Sequence, residues 1–318
     1  MFSGSLVAIV TPMHPDGGID WPGWERLLAM QLAAGTRGIV VGGSTGESVT
    51  LTEAELMQLL AHARAQLGGR AALIAGAGTS STAATVERSR RLSALGIDAL
   101  LVVTPAYNKP TQEGLYRHFE AVAAASEVPV LLYNVPARTA VDLEPATVAR
   151  LAKLPRIVAV KEAVPAVERV RELIDVTDGT FTVLSGDDAT CAEAMLNGAR
   201  GVISVTANVV PEAMVQLCAA ALRGDHATAQ RIAAALSELN EVLFIEPNPI
   251  PVKWALAEQR LIDAGLRLPL TPLSASQHER VRAVLARTRH RLQMRAAESA
   301  QPPQPPQSRS AANQAKLA

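Results

Sequence analysis

The segment VAVKEA, Val158 to Ala163, places a lysine in a run that is otherwise typical of a buried strand. An isolated ammonium group is rarely buried, because its transfer from water to an apolar medium costs too much free energy. Strand alternation puts Lys161 on the same side as Ala159 and Ala163. Val158 and Val160 then lie on the opposite side and face outward. Lys161 is therefore predicted to point into the fold among small residues.

A lysine amine in such a position is a nucleophile that can form a Schiff base with a carbonyl substrate. The amine must be neutral to attack, and burial favours the neutral form. Two ordinary roles stay open on strand position alone: a side chain that reaches solvent at the rim, or an ion pair with Glu162.

The sequence GGSTGES, residues 42–48, follows an apolar run and precedes a helix that opens with Thr52 and has Glu55 at the capping-box position. It lacks the G-K-[ST] ending of a Walker loop. The hydroxyl groups of Ser44 and Thr45, together with backbone N–H groups, suit a small carboxylate. An ordinary strand-to-helix turn is the alternative.

Schiff-base chemistry also needs a proton shuttle, and no histidine lies at the end of a predicted strand. Tyr107 and Tyr133 do lie at such ends, and with a serine hydroxyl they can form a relay. Packing is their ordinary alternative. Arg138 carries a guanidinium suited to a second carboxylate, or forms a surface ion pair with Asp142.

The elements that would position these residues are short apolar runs that alternate with helical periods. The eight runs begin at Ser5, Gly38, Ala71, Ala99, Pro129, Ile157, Phe181 and Gly201. This alternation predicts parallel βαβ units, since parallel neighbours need a crossover connection. Eight units in about 210 residues favour an α/β fold, the closed (β/α)8 TIM barrel, over an open doubly wound sheet. Active sites of such barrels lie at the carboxyl ends of the strands.

After the eighth run the pattern becomes almost entirely helical. We predict a catalytic barrel domain over residues 1–224 and a C-terminal helical extension over 225–295. The segment 296–318 is rich in proline and glutamine and nearly devoid of large apolar residues, so a disordered tail is predicted there.

Charge and composition narrow the function further. The 318 residues include 30 Lys and Arg and 30 Asp and Glu, so neither a nucleic-acid-binding patch nor an acidic tail is predicted. Cys191 and Cys218 lack CxxC spacing, and the histidines lack ligand spacing, which predicts reduced cysteines and no metal site. Residues 1–13 lack the features of a signal peptide or a membrane span, so a cytoplasmic protein without membrane partners is expected.

Taken together, the motifs resemble the dihydrodipicolinate synthase family of pyruvate-dependent class I lyases and aldolases. The similarity covers roughly residues 1–292 and is carried by GSLVAIVTPM, GGSTGES, TPAYNKPTQEGLYRHF, LLYNVPART, VAVKEA, LSGDDA, GVISVTANVVP and EPNPIPVKWAL. The resemblance implies an enzyme of diaminopimelate and lysine biosynthesis that condenses pyruvate with L-aspartate-4-semialdehyde. It also implies a homotetramer, a dimer of dimers, that uses no cofactor.

The resemblance further implies that Lys161 forms the Schiff base with pyruvate and that Tyr133 is the central proton donor and acceptor. Ser44 and Tyr107 would complete the relay, with Tyr107 supplied by a neighbouring subunit. The family usually has threonine at position 44, and the serine here keeps the hydroxyl but lacks the β-methyl group that restricts χ1.

The substrate-binding roles implied by the resemblance fall on Thr45 and the Ile203 main chain for pyruvate, and on Arg138 for the carboxylate of the semialdehyde. Two related activities stay open, N-acetylneuraminate lyase and 2-keto-3-deoxy-sugar-acid aldolase. A non-catalytic pyruvate-binding scaffold is the alternative from another class of protein.

Feedback inhibition by L-lysine is not expected. Sensitive members of the family bind lysine between two subunits through histidine, asparagine, glutamate and tyrosine side chains. The positions that match the whole site here are Ser48, Val49, Glu53, Leu56, Ser80, Ala84 and Ala106. In place of those four side chains this sequence has Leu56, Ser80, Ala84 and Ala106. Ala106 also replaces an aromatic residue that the family usually has at a subunit interface, so the packing of that aromatic side chain is lost. Glu53 is the one residue that can replace a lost carboxylate.

Overall fold

The structure is a computed structural model that describes residues 2–300, with the side chains of residues 2–294. Eight parallel strands follow one another around a closed barrel, and the first pairs with the last. The strands are Gly4–Ala8 (β1), Gly38–Val41 (β2), Ala72–Gly76 (β3), Ala99–Val103 (β4), Val130–Asn134 (β5), Ile157–Glu162 (β6), Thr182–Ser185 (β7) and Gly201–Ser204 (β8). The predicted (β/α)8 barrel is confirmed, and each strand lies in one of the eight apolar runs except that β1 begins one residue earlier, at Gly4.

Helices cover the outside of the barrel and continue beyond it. They are Trp21–Ala34 (α1), Glu53–Leu67 (α2), Thr82–Ser93 (α3), Gln112–Ala125 (α4), Pro136–Thr139 (α5), Pro145–Leu151 (α6), Val167–Val176 (α7), Cys191–Leu196 (α8), Pro211–Leu222 (α9), His226–Val242 (α10), Ile250–Glu258 (α11) and Ala275–Ala300 (α12). Short 3-10 helices, Ser44–Gly46 and Thr206–Asn208, follow β2 and β8. None of the helices in the described part of the chain is both long and apolar enough to cross a membrane.

Strand alternation divides the apolar side chains into two layers. The inner layer fills the barrel and includes Leu6, Ala159 and Ile203, whereas the outer layer lies between strands and helices and includes Val160. Val158 was expected to face outward and instead packs against the inner layer. That expectation was wrong because the β5–β6 register shifts there and leaves Val158 as an extra residue between two pairs.

Local sequence explains how α2 begins and ends. The Thr52 side chain accepts a hydrogen bond from the Glu55 N–H, and the Glu55 carboxylate accepts one from the Thr52 N–H, which confirms the capping box. Gly68 ends the helix with a left-handed conformation at φ 53°. The Glu55 carboxylate is also bound by Arg267, and the pKa of Glu55 is lowered to about 2 chiefly by this charged partner.

The C-terminal part follows the same rules. Asp225 caps α10 by accepting a hydrogen bond from the Thr228 N–H at 3.0 Å. The division into domains at residue 224 stays a prediction. Of the predicted tail, residues 296–300 belong to α12, and residues 301–318 lie outside the described part of the chain.

Candidate active site

Lys161 and Tyr133 are neighbours across β6 and β5, where they form a register pair. Both side chains are buried, and the Lys161 Nζ lies 4.3 Å from the centroid of the Tyr133 ring. Lys161 forms no ion pair with any residue that the structure describes. The side chain therefore does not reach the rim as a solvated lysine, and the buried orientation predicted from strand alternation is the one observed.

Gly186, in the loop after β7, makes the space that Lys161 occupies. A Cβ atom at this position would lie 2.9 Å from the Lys161 Cε and 2.9 Å from the Ala163 Cβ. Any larger residue would displace the end of the lysine side chain. The sequence shows this glycine within LSGDDA but gives no sign of its role.

Glu162 points away from Lys161, as alternation requires, and has its own partners. Its carboxylate accepts hydrogen bonds from the Asn134 amide at 3.0 Å and from the Val164 N–H at 2.8 Å. Burial raises the pKa of Glu162 to about 7, although these hydrogen bonds oppose the rise. The alternative in which Glu162 neutralises Lys161 is therefore not observed.

Asn134 also connects to an ion pair behind the site. Arg169 binds Asp142 through two hydrogen bonds of 3.1 and 2.7 Å, and Asn134 donates to the same carboxylate at 2.7 Å. Burial alone would raise the pKa of Asp142, but the Arg169 guanidinium holds that pKa below its usual value. Asp142 is thus the partner of Arg169 and not of Arg138.

The GGSTGES loop is held tightly against the mouth of the barrel. Gly42 has φ 67°, and a Cβ at Gly76 would lie 2.0 Å from the Gly42 carbonyl oxygen, so the ends of β2 and β3 approach closely. The Thr11 hydroxyl donates to the Gly46 carbonyl at 2.8 Å. The loop buries Thr45 and leaves Ser44 half-buried.

Glu47 of this loop forms a buried ion pair that the sequence did not predict. Lys253 of α11 is 1% exposed, and its Nζ donates to Glu47 at 2.5 Å. The Glu47 carboxylate also accepts from the Arg267 N–H at 3.2 Å. Burial lowers the pKa of Lys253, and Glu47 opposes that shift. Lys253 lies within EPNPIPVKWAL, but nothing in that segment names Glu47 as its partner.

Asn248, just before α11, joins two of the predicted substrate-binding residues. Its side-chain Nδ2 donates to the Thr45 Oγ1 at 3.0 Å. Its main-chain carbonyl accepts from the Arg138 Nη2 at 3.1 Å. The structure thereby brings Thr45 and Arg138 to one residue of the C-terminal helical part, and Asn248 is a site residue that sequence reasoning missed.

The other predicted site residues, Ile203, Tyr107 and Ser44, differ from one another in burial. Ile203 is buried in the inner layer, in register with Leu6 of β1. Tyr107 is 93% exposed and has a left-handed backbone at φ 74°. Within residues 2–300 of the single chain, no hydrogen bond joins the hydroxyl groups of Ser44, Tyr107 and Tyr133. The predicted relay, with Tyr107 supplied by a neighbouring subunit, stays a prediction.

The two acidic residues after β7 accept hydrogen bonds from backbone N–H groups. Asp187 accepts from the Thr190 N–H at 2.9 Å, and Asp188 accepts from the N–H groups of Val205 and Thr206 at 2.8 and 2.9 Å. Burial raises the pKa of Asp188. Among the residues described, no group of three or more His, Cys, Asp and Glu side chains is arranged to hold a metal ion.

Comparison with known proteins shows that this chain is similar to one family over most of its length. The model of the Dihydrodipicolinate synthetase family matches residues 1–288. A 4-hydroxy-tetrahydrodipicolinate synthase from Methylococcus capsulatus is 52% identical over 285 residues, which cover 90% of this chain and 98% of the relative.

Solved structures agree with that similarity. A chloride-inhibited dihydrodipicolinate synthase from Acinetobacter baumannii, solved in complex with pyruvate, is 48% identical with a TM-score of 0.89, over 91% of this chain and 99% of that one. A dihydrodipicolinate synthase variant described as monomeric is 40% identical with a TM-score of 0.88, over 90% of this chain and 97% of that one.

The buried Glu47–Lys253 pair leads to a stability prediction. Replacing Lys253→Met leaves the Glu47 carboxylate buried and uncompensated, so the free energy of unfolding should fall by about 3–5 kcal/mol. The double variant Glu47→Gln with Lys253→Met removes both charges, so its free energy of unfolding should fall clearly less than that of Lys253→Met alone. Urea unfolding followed by circular dichroism measures both variants.

Lys153→Met is the matched control, since Lys153 is exposed and its replacement should change the free energy of unfolding by no more than about 0.5 kcal/mol. A Lys253→Met variant as stable as this control would show that the buried pair contributes little to the fold.

Proposed function

This chain belongs to the dihydrodipicolinate synthetase family, and we propose on that premise that it is a lyase that condenses pyruvate with L-aspartate-4-semialdehyde. One observation carries the proposal: the buried Lys161 Nζ lies at the carboxyl end of β6, against the ring of Tyr133 and without a carboxylate partner in the described chain. A nucleophilic amine beside a phenol has the groups that Schiff-base formation requires.

In the proposed reaction, the neutral Lys161 amine attacks the keto carbon of pyruvate, and loss of water gives an imine. The imine acidifies the methyl group, and removal of one methyl proton gives an enamine. The enamine carbon then attacks the aldehyde carbon of the semialdehyde. Attack of the substrate's own amino group on the imine carbon closes the ring and releases the lysine amine. Tyr133, whose ring centroid lies 4.3 Å from the Lys161 Nζ, is proposed to give and take the protons.

We assign the other roles by position. Ser44 is half-buried beside Thr45, and both follow β2 at the mouth of the barrel. Thr45 and the Ile203 main chain are proposed to hold the carboxylate of pyruvate, and Arg138 that of the semialdehyde. The exposed Arg138 side chain is anchored by the Asn248 carbonyl at 3.1 Å, which supports a fixed guanidinium ready for a second anion.

Assembly as a homotetramer belongs to the same proposal. Val49 and Tyr107 are 92% and 93% exposed, and large apolar side chains that are this exposed suit a contact with a second copy. In that contact Tyr107 would complete the relay of a neighbouring subunit with Ser44 and Tyr133. One relative is described as monomeric, so the assembly is a property to be measured. A cytoplasmic location is proposed with it, and both cysteines are free and buried.

The names of the relatives favour the synthase over the sugar-acid lyases that the sequence left open. Insensitivity to lysine is a finer proposal, and the contacts of two residues support it. Glu53 binds Arg88 through a 2.6 Å hydrogen bond, so its carboxylate is already engaged. Leu56 is buried in the outer layer and presents no polar group to a cleft.

The first prediction from the proposed function concerns the covalent residue. Borohydride added in the presence of pyruvate should reduce the imine and add the pyruvyl mass to a peptide containing Lys161, because this lysine is nucleophilic and lies at the barrel mouth. Mass spectrometry of a protease digest locates the adduct. The variant Lys161→Ala should give no adduct. Modification of Lys253 or another lysine in the wild-type chain would refute the assignment.

The second prediction separates a proton shuttle from a carboxylate clamp. Tyr133→Phe should lower kcat by about 100-fold or more, since it removes a general acid and base. Arg138→Ala should mainly raise the KM for the semialdehyde while borohydride trapping of pyruvate continues. Steady-state rates with each substrate varied measure both effects. Loss of trapping in Arg138→Ala would place Arg138 in the fold or the pyruvate site.

The third prediction concerns regulation. Compared with lysine-sensitive members of the family, this chain lacks a charge-assisted hydrogen bond and an aromatic contact to lysine. Their loss should weaken lysine binding by at least about a hundredfold. Millimolar L-lysine should therefore leave the initial rate unchanged at subsaturating pyruvate. A lysine-inhibited member of the family, assayed in parallel, is the control. Partial inhibition of this enzyme in the same range would contradict the proposal.

A further inference from the structure

Asn248 lies between α10 and α11 and is 6% exposed. It contacts Thr45 with its side chain and Arg138 with its main chain. These two residues are the proposed carboxylate-binding groups for different substrates. A single residue outside the eight strands therefore touches both halves of the proposed site.

The direction of the Asn248–Thr45 hydrogen bond decides where the hydroxyl proton of Thr45 goes. A hydroxyl group has one proton to donate and two lone pairs to accept with. Because the Thr45 Oγ1 accepts from the Asn248 Nδ2, its proton stays free for another acceptor. Within residues 2–300, the Thr45 hydroxyl donates to no other group.

The orientation of the amide decides which of its two ends faces Thr45. The Asn248 Oδ1 is buried and has no hydrogen-bond partner in the described chain. If the amide were turned over, this oxygen would face Thr45 and take its proton. A buried acceptor without a partner is destabilising.

We propose that Asn248 is a positioning residue that directs the Thr45 hydroxyl proton toward the carboxylate of the keto-acid substrate, while its carbonyl anchors Arg138. This inference rests on the proposed function. The two contacts use different atoms, so they can be separated. A side-chain substitution removes the contact with Thr45, whereas the carbonyl that anchors Arg138 belongs to the backbone and is retained.

The test is a double-mutant cycle with the initial rate of borohydride trapping measured against pyruvate concentration. Asn248→Leu and Thr45→Val should each raise the half-saturating pyruvate concentration by about tenfold or more. Asn248→Leu in the Thr45→Val background should have no further effect, because Asn248 acts through the Thr45 hydroxyl. The KM for the semialdehyde should change by no more than about twofold in Asn248→Leu, because the backbone carbonyl is retained.

Asn248→Asp gives a second variant of nearly the same size. Its carboxylate can only accept, so it takes the Thr45 proton and should weaken pyruvate binding more than Asn248→Leu does. If Asn248→Leu fails to fold, the cycle is run with Asn248→Asp. In that cycle the effect should shrink in the Thr45→Val background.

Asn240→Leu is the matched control, since Asn240 is also 6% exposed and donates to the Asp188 carbonyl. The effects of Asn240→Leu and Thr45→Val on the half-saturating pyruvate concentration should be additive. Additive effects of Asn248→Leu and Thr45→Val, or equal losses for both substrates, would overturn the inference. Absence of trapping in the wild-type chain would instead overturn the proposed function.

Discussion

The Glu47–Lys253 ion pair is the interaction on which the mouth of the barrel depends. Both side chains are almost fully buried, so neither charge is exposed to bulk solvent. The pair is therefore stable only while the loop after β2 and helix α11 stay in contact. That contact brings the segment before α11 over the strand ends, where Asn248 reaches Thr45. The barrel alone would leave this side of the site open.

Strands and loops contribute differently to the site. The register of β5 and β6 places Lys161 and Tyr133 side by side, and their backbone positions are fixed by the pairing of the two strands. The space around the lysine comes from Gly186 and Ala163. Arg138 lies instead on a short helix after β5 and is exposed, so it depends on its contact with Asn248. The chemistry is thus held rigidly, and the binding groups are held by contacts between loops.

The buried charges near the site are arranged so that Lys161 is left unpaired. Glu162 has amide and N–H donors on the outer side of β6, and Asp188 accepts from two N–H groups after β8. Lys253, the other buried lysine of the described chain, has Glu47. An ion pair at Lys161 would favour the charged form, which cannot attack a carbonyl carbon. Because these carboxylates have other partners, none of them forms an ion pair that would favour the charged form of Lys161.

The barrel was predictable because its evidence is local in sequence. Apolar runs, helical periods and the capping box of α2 each depend on residues only a few positions apart, and they agree with one another. The same reasoning placed Lys161 inside the barrel, because strand alternation has a fixed period of two. It failed at Val158, where an irregular pairing between β5 and β6 interrupts that period.

The sequence by itself determined the barrel, the strand ends and the direction of the candidate nucleophile. Only the tertiary structure decided which side chains meet there. Asn248 and Thr45 are 203 positions apart, and Glu47 and Lys253 are 206 apart. Periodicity has no information at such separations, because these contacts form only when the C-terminal helices fold back onto the barrel. The choice of Arg169 over Arg138 as the partner of Asp142 was likewise a matter of three-dimensional distance.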